Sequence, residues 1–231
     1  MTGEGVTIRW GHLDDHGAER FEPLLSPDER DRAAAFRFER DRRRYLVARG
    51  LLRSVLGERL GEDPGRISFA YGERGKPRLA GETGLRFNVS HSHGVAAIAL
   101  CEGRELGVDV EARRDGLHIE RIGRRFLPPD AVSEIEGRTG EDRSREFFRL
   151  WVRQEAFAKA SGAGLERIAE RPDSERWSIL DLDLVDGYAA ALAVERLPVD
   201  RGEELIADAA RLIDLGSELG QVGGVAGVRA A

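Results

Sequence analysis

One cysteine, Cys101, is all the thiol chemistry that this 231-residue sequence offers. That excludes an intrachain disulfide and any zinc cage built from cysteines. Its setting in the apolar run "VAAIALCEG" reads as a buried small hydrophobe. Long apolar runs are missing too, since no window approaches the roughly 18 uninterrupted apolar residues of a membrane helix. The first residues, "MTGEGVTIRWGHLDD", lack both the basic start and the apolar stretch of a signal peptide, so a cytoplasmic protein is expected. Neither GxxxxGKS nor GxGxxG occurs, which removes the usual ATP and dinucleotide cradles, and no GxSxG elbow supports serine-histidine nucleophilic catalysis. An excess of positive charge is also lacking: the formal net charge of -6 argues against nucleic-acid binding.

What remains is a charge-rich globular composition, 41% hydrophobic and 34% charged, long enough for one large domain or two small ones. The basic residues are unevenly placed. "ERDRRRYLVARGLLR" (39–53) carries six arginines in fifteen residues. One basic helix in an acidic chain suits a compact polyanion such as a phosphorylated cofactor, and a helix of solvated arginines explains the composition equally well.

"SPDE" at 26–29 predicts a helix start, with Ser26 as N-cap, Pro27 at the first helical position and Glu29 closing a capping box. A second helix follows, with Tyr45, Ala48, Leu52, Val55 and Leu56 as its apolar stripe. After the "GEDPG" turn come strands in "RISFAY", "LRFNVS", "GVAAIAL" and "ELGVDVE". Beyond residue 111 the order recurs: helices in "FLPPDAVSEIEG" and "REFFRLWVRQEAFAKASG", then strands "WSILDLDLV" and "YAAALAV" joined by Asp186-Gly187, a dipeptide that type I′ turns favour. Gly94, Ala96, Ala97 and Glu102 match Gly187, Ala189, Ala190 and Glu195 at equal spacing. The expectation is an α+β fold of two similar halves related by a pseudo-twofold, residues 1–111 and 112–198, with a ligand cleft between them. Residues 199–231 are expected to form an amphipathic helix and a flexible tail.

Four stretches can carry chemistry. In "LGVDVE" strict alternation puts Asp109 and Glu111 on one strand face, where they either face solvent or hold a cation such as Mg²⁺. In "WVRQEAFAKASGAG" Glu155 and Lys159 lie one helical turn apart; spacing alone reads as a surface ion pair. "FNVSHSHG" crowds hydroxyls and imidazoles into a turn, and Ser90 and His91 can donate hydrogen bonds to phosphate oxygens. His91 and His93 lack a third ligand for zinc. "GERGKPRL" presents Lys76 on a turn, as a phosphate contact or an exposed loop lysine. His12, His16 and His118 read as surface residues.

Taken in order, "LLSPDERDR", "GKPRL", "FNVSHS", "LGVDVE" and "WVRQEAFAKASGAGL" resemble the successive motifs of the 4′-phosphopantetheinyl transferases of the long, surfactin-synthetase-activating type, over residues 24–165. The resemblance implies transfer of the phosphopantetheine arm of coenzyme A to a serine of an apo acyl, peptidyl or aryl carrier protein, releasing adenosine 3′,5′-bisphosphate. It implies Mg²⁺ on Asp109, Glu111 and Glu155, with Glu155 also as general base, a role that the second carboxylate or a metal-bound water takes in some members, and Lys159 on the pyrophosphate. Ser90 and His91 would bind the 3′-phosphate, and Gly75, Lys76 and Pro77 would line the nucleotide pocket. Arg32, on the helix after "SPDE", would contact phosphate; Arg44, on the basic helix, is added without a motif match, and Arg49 is left at the surface. Half-length relatives trimerise to build their cleft, so a monomer is expected here. The family signature usually has Lys where this chain has Gln154, next to the implied metal ligand. An inert relative that binds coenzyme A or carrier, and a Mg²⁺-dependent phosphate-ester hydrolase, are the competing readings.

Overall fold

Strand segments with alternating or wholly apolar faces each need a matching surface to cover them. The computed structural model describes residues 5–15, 17–72, 75–81, 83–162, 164 and 172–195, and the backbone of 227–229. Its first half runs β1 (Thr7–His12), α1 (Pro27–Ala34), α2 (Glu39–Leu60), β2 (Phe69–Tyr71), β3 (Pro77–Leu79), β4 (Leu85–Ser92) and β5 (Val95–Glu102). The second runs β6 (Leu106–Ala112), α3 (Ile119–Phe126), α4 (Pro129–Glu136), α5 (Gly140–Ser161), β7 (Trp177–Asp183) and β8 (Tyr188–Glu195). His16 and the helix expected after Pro198 lie outside the described residues.

The two halves repeat one plan. Each has a strand, a long helix and an antiparallel hairpin whose second strand takes the middle of the sheet: β1-β5-β4 in the first, β6-β8-β7 in the second. Gly94 and Gly187 both sit in the hairpin turn, and Glu102 and Glu195 both end the central strand, so the sequence match reflects the same structural positions. Because β6 pairs with β8, the sheets divide between β5 and β6, earlier than the boundary expected after residue 111. A strand β9 (Gly227–Arg229) pairs antiparallel with β7. These residues were expected in a flexible tail; the open backbone edge of β7 gives them hydrogen-bonding partners.

Alternation builds four layers. Val95, Ala97, Ala99 and Cys101 of β5 face Val108, Val110, Leu192 and Val194 in a core between the two sheets. Ala96, Ile98 and Leu100 face the other way, onto Leu46, Leu52 and Leu56 of α2. On β8 the outer face is Ala191 and Ala193, packed on Val152, Ala156 and Ala160 of α5. Small side chains on both surfaces bring helix and sheet close together. The closest point is Gly107, where a Cβ would lie 2.2 Å from the Ala156 carbonyl and 2.5 Å from the Ala160 nitrogen.

Several local expectations change in detail. "RISFAY" is a strand only over Phe69–Tyr71, and "GKPRL" supplies its partner β3, a hairpin the turn residues concealed. Asp186 and Gly187 do join β7 to β8, yet among the described residues only Gly187 of the pair has positive φ, 84°. Type I′ needs both central residues left-handed, so this turn is of another type. His118 is exposed, whereas His12 is half-buried with its ring 5.7 Å from that of Trp10. Glu29 closes its box by accepting the Ser26 N–H at 3.0 Å, and it also holds two arginines. Arg53 Nε lies 2.6 Å away and is 1% exposed, and Arg49, expected at the surface, pairs with the other carboxylate oxygen. Burial would raise the Glu29 pKa; the guanidiniums outweigh it and hold the carboxyl below its usual range.

Candidate active site

The two sheets meet edge to edge along β4 and β6, and side chains make the join. Asn88 Oδ1, Ser90 Oγ and Ser92 Oγ accept the backbone N–H groups of Val108, Val110 and Ala112 at 2.9, 3.4 and 3.2 Å. The constant offset of 20 residues shows that β4 and β6 run side by side in the same direction. Every second residue of β4 thus stands in for a missing strand partner, which satisfies buried donors that would otherwise cost about 1–3 kcal/mol each.

The same serines hold the two carboxylates of β6. Ser90 Oγ donates to Asp109 Oδ1 at 2.8 Å, and Ser92 Oγ donates to Glu111 Oε2 at 2.7 Å. From α5, Lys159 Nζ reaches Asp109 Oδ1 at 2.6 Å, Ser90 Oγ at 2.9 Å and the Val108 carbonyl at 3.3 Å. Glu155, one turn earlier on the same helix, is pushed up to about 7. Its burial is the largest cause and the charge of Asp109 the next; Lys159 opposes the shift and Glu111 adds to it. So Glu155 and Lys159 do not form a solvated surface pair. They face the β6 carboxylates across the contact that Gly107 allows.

Asp109 corrects the reading of a solvent-facing strand edge: it is 4% exposed. Its second oxygen, Oδ2, is buried and has no hydrogen-bond partner. A carboxylate oxygen without a donor, beside two further carboxylates, is what a hard cation would relieve, so the donor set fits Mg²⁺. Among the described residues, however, no three acidic or histidine side chains converge as a ready metal cage. Lys159 and Ser90 occupy one oxygen of Asp109, and Ser92 occupies one of Glu111.

Ser90 and His91 are not brought together. Strand alternation sends Ser90 into the β4–β6 join and His91 to the α2 side, where it lines a cavity of about 360 Å³ with Arg40, Arg44, Tyr45 and His93. Desolvation by the surrounding protein lowers the His91 pKa, with the charge of Lys159 as a second cause. Arg44 is held by Asp14 in a two-pronged pair at 2.7 and 2.5 Å. Arg32 is exposed, with its guanidinium 5.8 Å from the ring centre of Tyr45, a wall of the same cavity.

Lys76 is neither an exposed loop lysine nor free for phosphate. Its Nζ donates to the Lys159 carbonyl at 2.7 Å and lies 3.5 Å from Glu105, capping the C-terminal end of α5, and desolvation lowers its pKa. Lys76 and Pro77 line a larger cavity of about 730 Å³, and Gly75 turns the β2–β3 hairpin with φ 76°. Gln154 is 7% exposed on α5, so although next to Glu155 in sequence it does not share that side chain's surroundings.

Sequence reasoning missed Asn88, Ser92 and Asp14. The first two were signalled by the alternation of "FNVSHS", which puts Asn88, Ser90 and Ser92 on one face; Asp14 had no signal, because only the folded chain brings it to Arg44.

Comparisons with known proteins agree on one family. Residues 15–102 match the model of the 4′-phosphopantetheinyl transferase N-terminal domain, and residues 105–193 match that of the 4′-phosphopantetheinyl transferase superfamily. The chain is 37% identical over 185 residues to 4′-phosphopantetheinyl transferase HetI of Nostoc sp., covering 74% of this chain and 78% of that protein. It is 31% identical over 153 residues to 4′-phosphopantetheinyl transferase Sfp of Bacillus subtilis, covering 66% and 67%. It is 29% identical over 159 residues to 4′-phosphopantetheinyl transferase AcpT of Escherichia coli O157:H7, covering 69% and 71%. The chain belongs to the 4′-phosphopantetheinyl transferase superfamily, enzymes that transfer phosphopantetheine to carrier proteins.

Proposed function

We propose that the cluster of Asp109, Glu111, Glu155 and Lys159 is the transfer site, acting on coenzyme A and an apo carrier protein. The single observation that carries this reading is the buried, unpartnered Oδ2 of Asp109 beside a carboxyl whose pKa is raised to about 7. Asp109, Glu111 and Glu155 would hold Mg²⁺, which when bound neutralises charge on the pyrophosphate.

The chain's own residues do the rest. The carrier serine oxygen bonds to the phosphorus nearer the pantetheine, the bond from that phosphorus to the bridging oxygen breaks, and adenosine 3′,5′-bisphosphate leaves with the electron pair. Glu155, as carboxylate, takes the serine proton, since an unperturbed hydroxyl is a poor nucleophile at neutral pH. Lys159 turns its ammonium from Asp109 toward the leaving phosphate, as a point charge. Ser90 keeps Asp109 oriented. The cavity lined by His91 and Arg44, with Arg32 beside Tyr45 at its wall, suits the 3′-phosphate, Arg44 exchanging Asp14 for it. Lys76, Pro77 and Gly75 border the space for the nucleotide.

The protein is proposed to act as a cytoplasmic monomer with no nucleic-acid or membrane partner; no helix among the described residues is long and apolar enough to cross a membrane. Incubation with coenzyme A, Mg²⁺ and apo carrier proteins tests the whole reading by intact mass of the carrier. A gain of one phosphopantetheine is expected. Binding of coenzyme A without any gain across several carriers would leave an inert relative, and phosphate release without carrier would leave a hydrolase.

A further inference from the structure

The β4–β5 hairpin turns through His93 and Gly94, and His93 has φ 51°. It is the one non-glycine residue with positive φ among the described residues. Left-handed backbone is strained for a residue with a Cβ, and glycine would turn here without that strain. Histidine at this position therefore needs a compensating contact, and its ring has one: Nδ1 lies 3.3 Å from Ser92 Oγ.

Counting donors fixes the direction of that contact. Ser92 Oγ has a single proton, and Glu111 Oε2 at 2.7 Å, an acceptor only, takes it. The oxygen can then only accept, from the Ala112 N–H at 3.2 Å and from His93 Nδ1–H. Neighbouring Ser90 is saturated in the same way: it donates to Asp109, and accepts from the Val110 N–H and from Lys159 Nζ. Each β4 serine thus accepts from one backbone donor and one side-chain donor and donates its own hydrogen bond to one β6 carboxylate. Lys159 fills the side-chain role at Ser90, and His93 fills it at Ser92.

We propose that His93 is a positioning residue: its Nδ1–H locks the Ser92 proton onto Glu111 and so fixes the orientation of that carboxylate. The inference rests on the reading of Glu111 as a Mg²⁺ ligand. Partners of metal ligands set ligand orientation, and losing one commonly weakens metal binding by about 10-fold or more.

Three variants of the full chain test this: His93→Gly, His93→Asn and Glu111→Gln. Mg²⁺ is titrated calorimetrically into each protein saturated with coenzyme A and without carrier, and thermal unfolding is followed without metal. His93→Gly relieves the strained turn and removes the donor, so it should unfold no earlier than the parent yet bind Mg²⁺ about 10-fold more weakly. His93→Asn tolerates left-handed φ and presents an amide N–H near the place of Nδ1, so it should recover most of that loss. In the metal-free parent protein the imidazole ¹⁵N shifts should report the Nδ1–H form. Parental Mg²⁺ affinity in His93→Gly, alongside weakened affinity in Glu111→Gln, overturns the role of His93. Equal weakening in the Gly and Asn variants overturns hydrogen-bond donation as its basis. Unchanged affinity in Glu111→Gln overturns the reading of Glu111 as a ligand, and the inference falls with it.

Discussion

At the scale of single residues, burial changes what the acidic groups do. Asp109 looks in sequence like a carboxylate on an open strand face; in the fold it is buried and bonded to Ser90 and Lys159. Removing it to Ala would leave the Lys159 ammonium unpaired, so Asp109→Asn is the cleaner probe. It keeps the shape and one oxygen that can still accept from Lys159 but lacks the charge. We expect transfer to fall by at least about 100-fold, on the scale of lost electrostatic stabilisation in a preorganised site, with little loss of secondary structure by circular dichroism. Turnover near the parental rate would end the assignment. Glu155 sets a pH dependence of definite sign. Its folded pKa, about 7, stands above the usual value of 4.5, so its contribution to stability is full below about 4.5 and is lost as pH rises through about 7. Mg²⁺ favours the carboxylate and must displace the proton. Calorimetry in buffers of different ionisation enthalpy should therefore show proton release on Mg²⁺ binding near pH 6.5 and almost none at pH 8.5; pH-independent release would contradict this. None of this could be read from spacing, because a helical Glu-Lys pair gives the same sequence whether it faces water or a second carboxylate pair.

At the scale of elements, the site depends on how closely α5 approaches β6. Gly107 allows that approach, and what its Cβ would meet is helix backbone, which cannot swing aside as a flexible side chain could. Gly107→Ala should push α5 outward, cost about 1–3 kcal/mol as overpacking does, and lengthen the Lys159–Asp109 contact. Denaturant unfolding would give the first effect, and a larger loss in kcat than the stability change explains would give the second. A variant as stable and active as the parent would show that the helix is not held at this distance by Gly107. The basic helix α2 is another case in which sequence composition left two readings open. Arg43 is exposed, whereas Arg49 and Arg53 clamp the buried Glu29 and tie α2 to α1. Glu29→Gln leaves two guanidiniums without a counterion and should cost about 3–5 kcal/mol. Because the folded carboxyl sits below its usual pKa, this stabilisation is present at neutral pH and is lost as pH falls through the acid range. An unchanged urea midpoint at pH 7 would refute the clamp.

At the scale of the whole molecule, two copies of one strand–helix–hairpin plan are joined by the side chains of β4 along the edge of β6. Both halves of the join come from a single chain, so light scattering should give the mass of one chain at micromolar concentration; a stable trimer would contradict the monomeric assignment. Sequence alone determined the long helices, the core strands β4 to β8 and their repetition, because alternation and helical period are local properties of the chain and the glycine, alanine and glutamate positions of the two hairpins coincide; the short or edge elements β1, β3 and α3 carry too weak a local pattern to be read. It also determined which residues are chemically able to act, since carboxylates, lysine and histidine carry their chemistry wherever they fall. Tertiary structure decided which of these meet. It turned Lys76 to the end of α5, gave Arg44 to Asp14, and brought Glu155 and Lys159 to Asp109 over more than forty residues of chain. Such meetings depend on long-range register and on burial, and neither is a property of any short stretch of sequence.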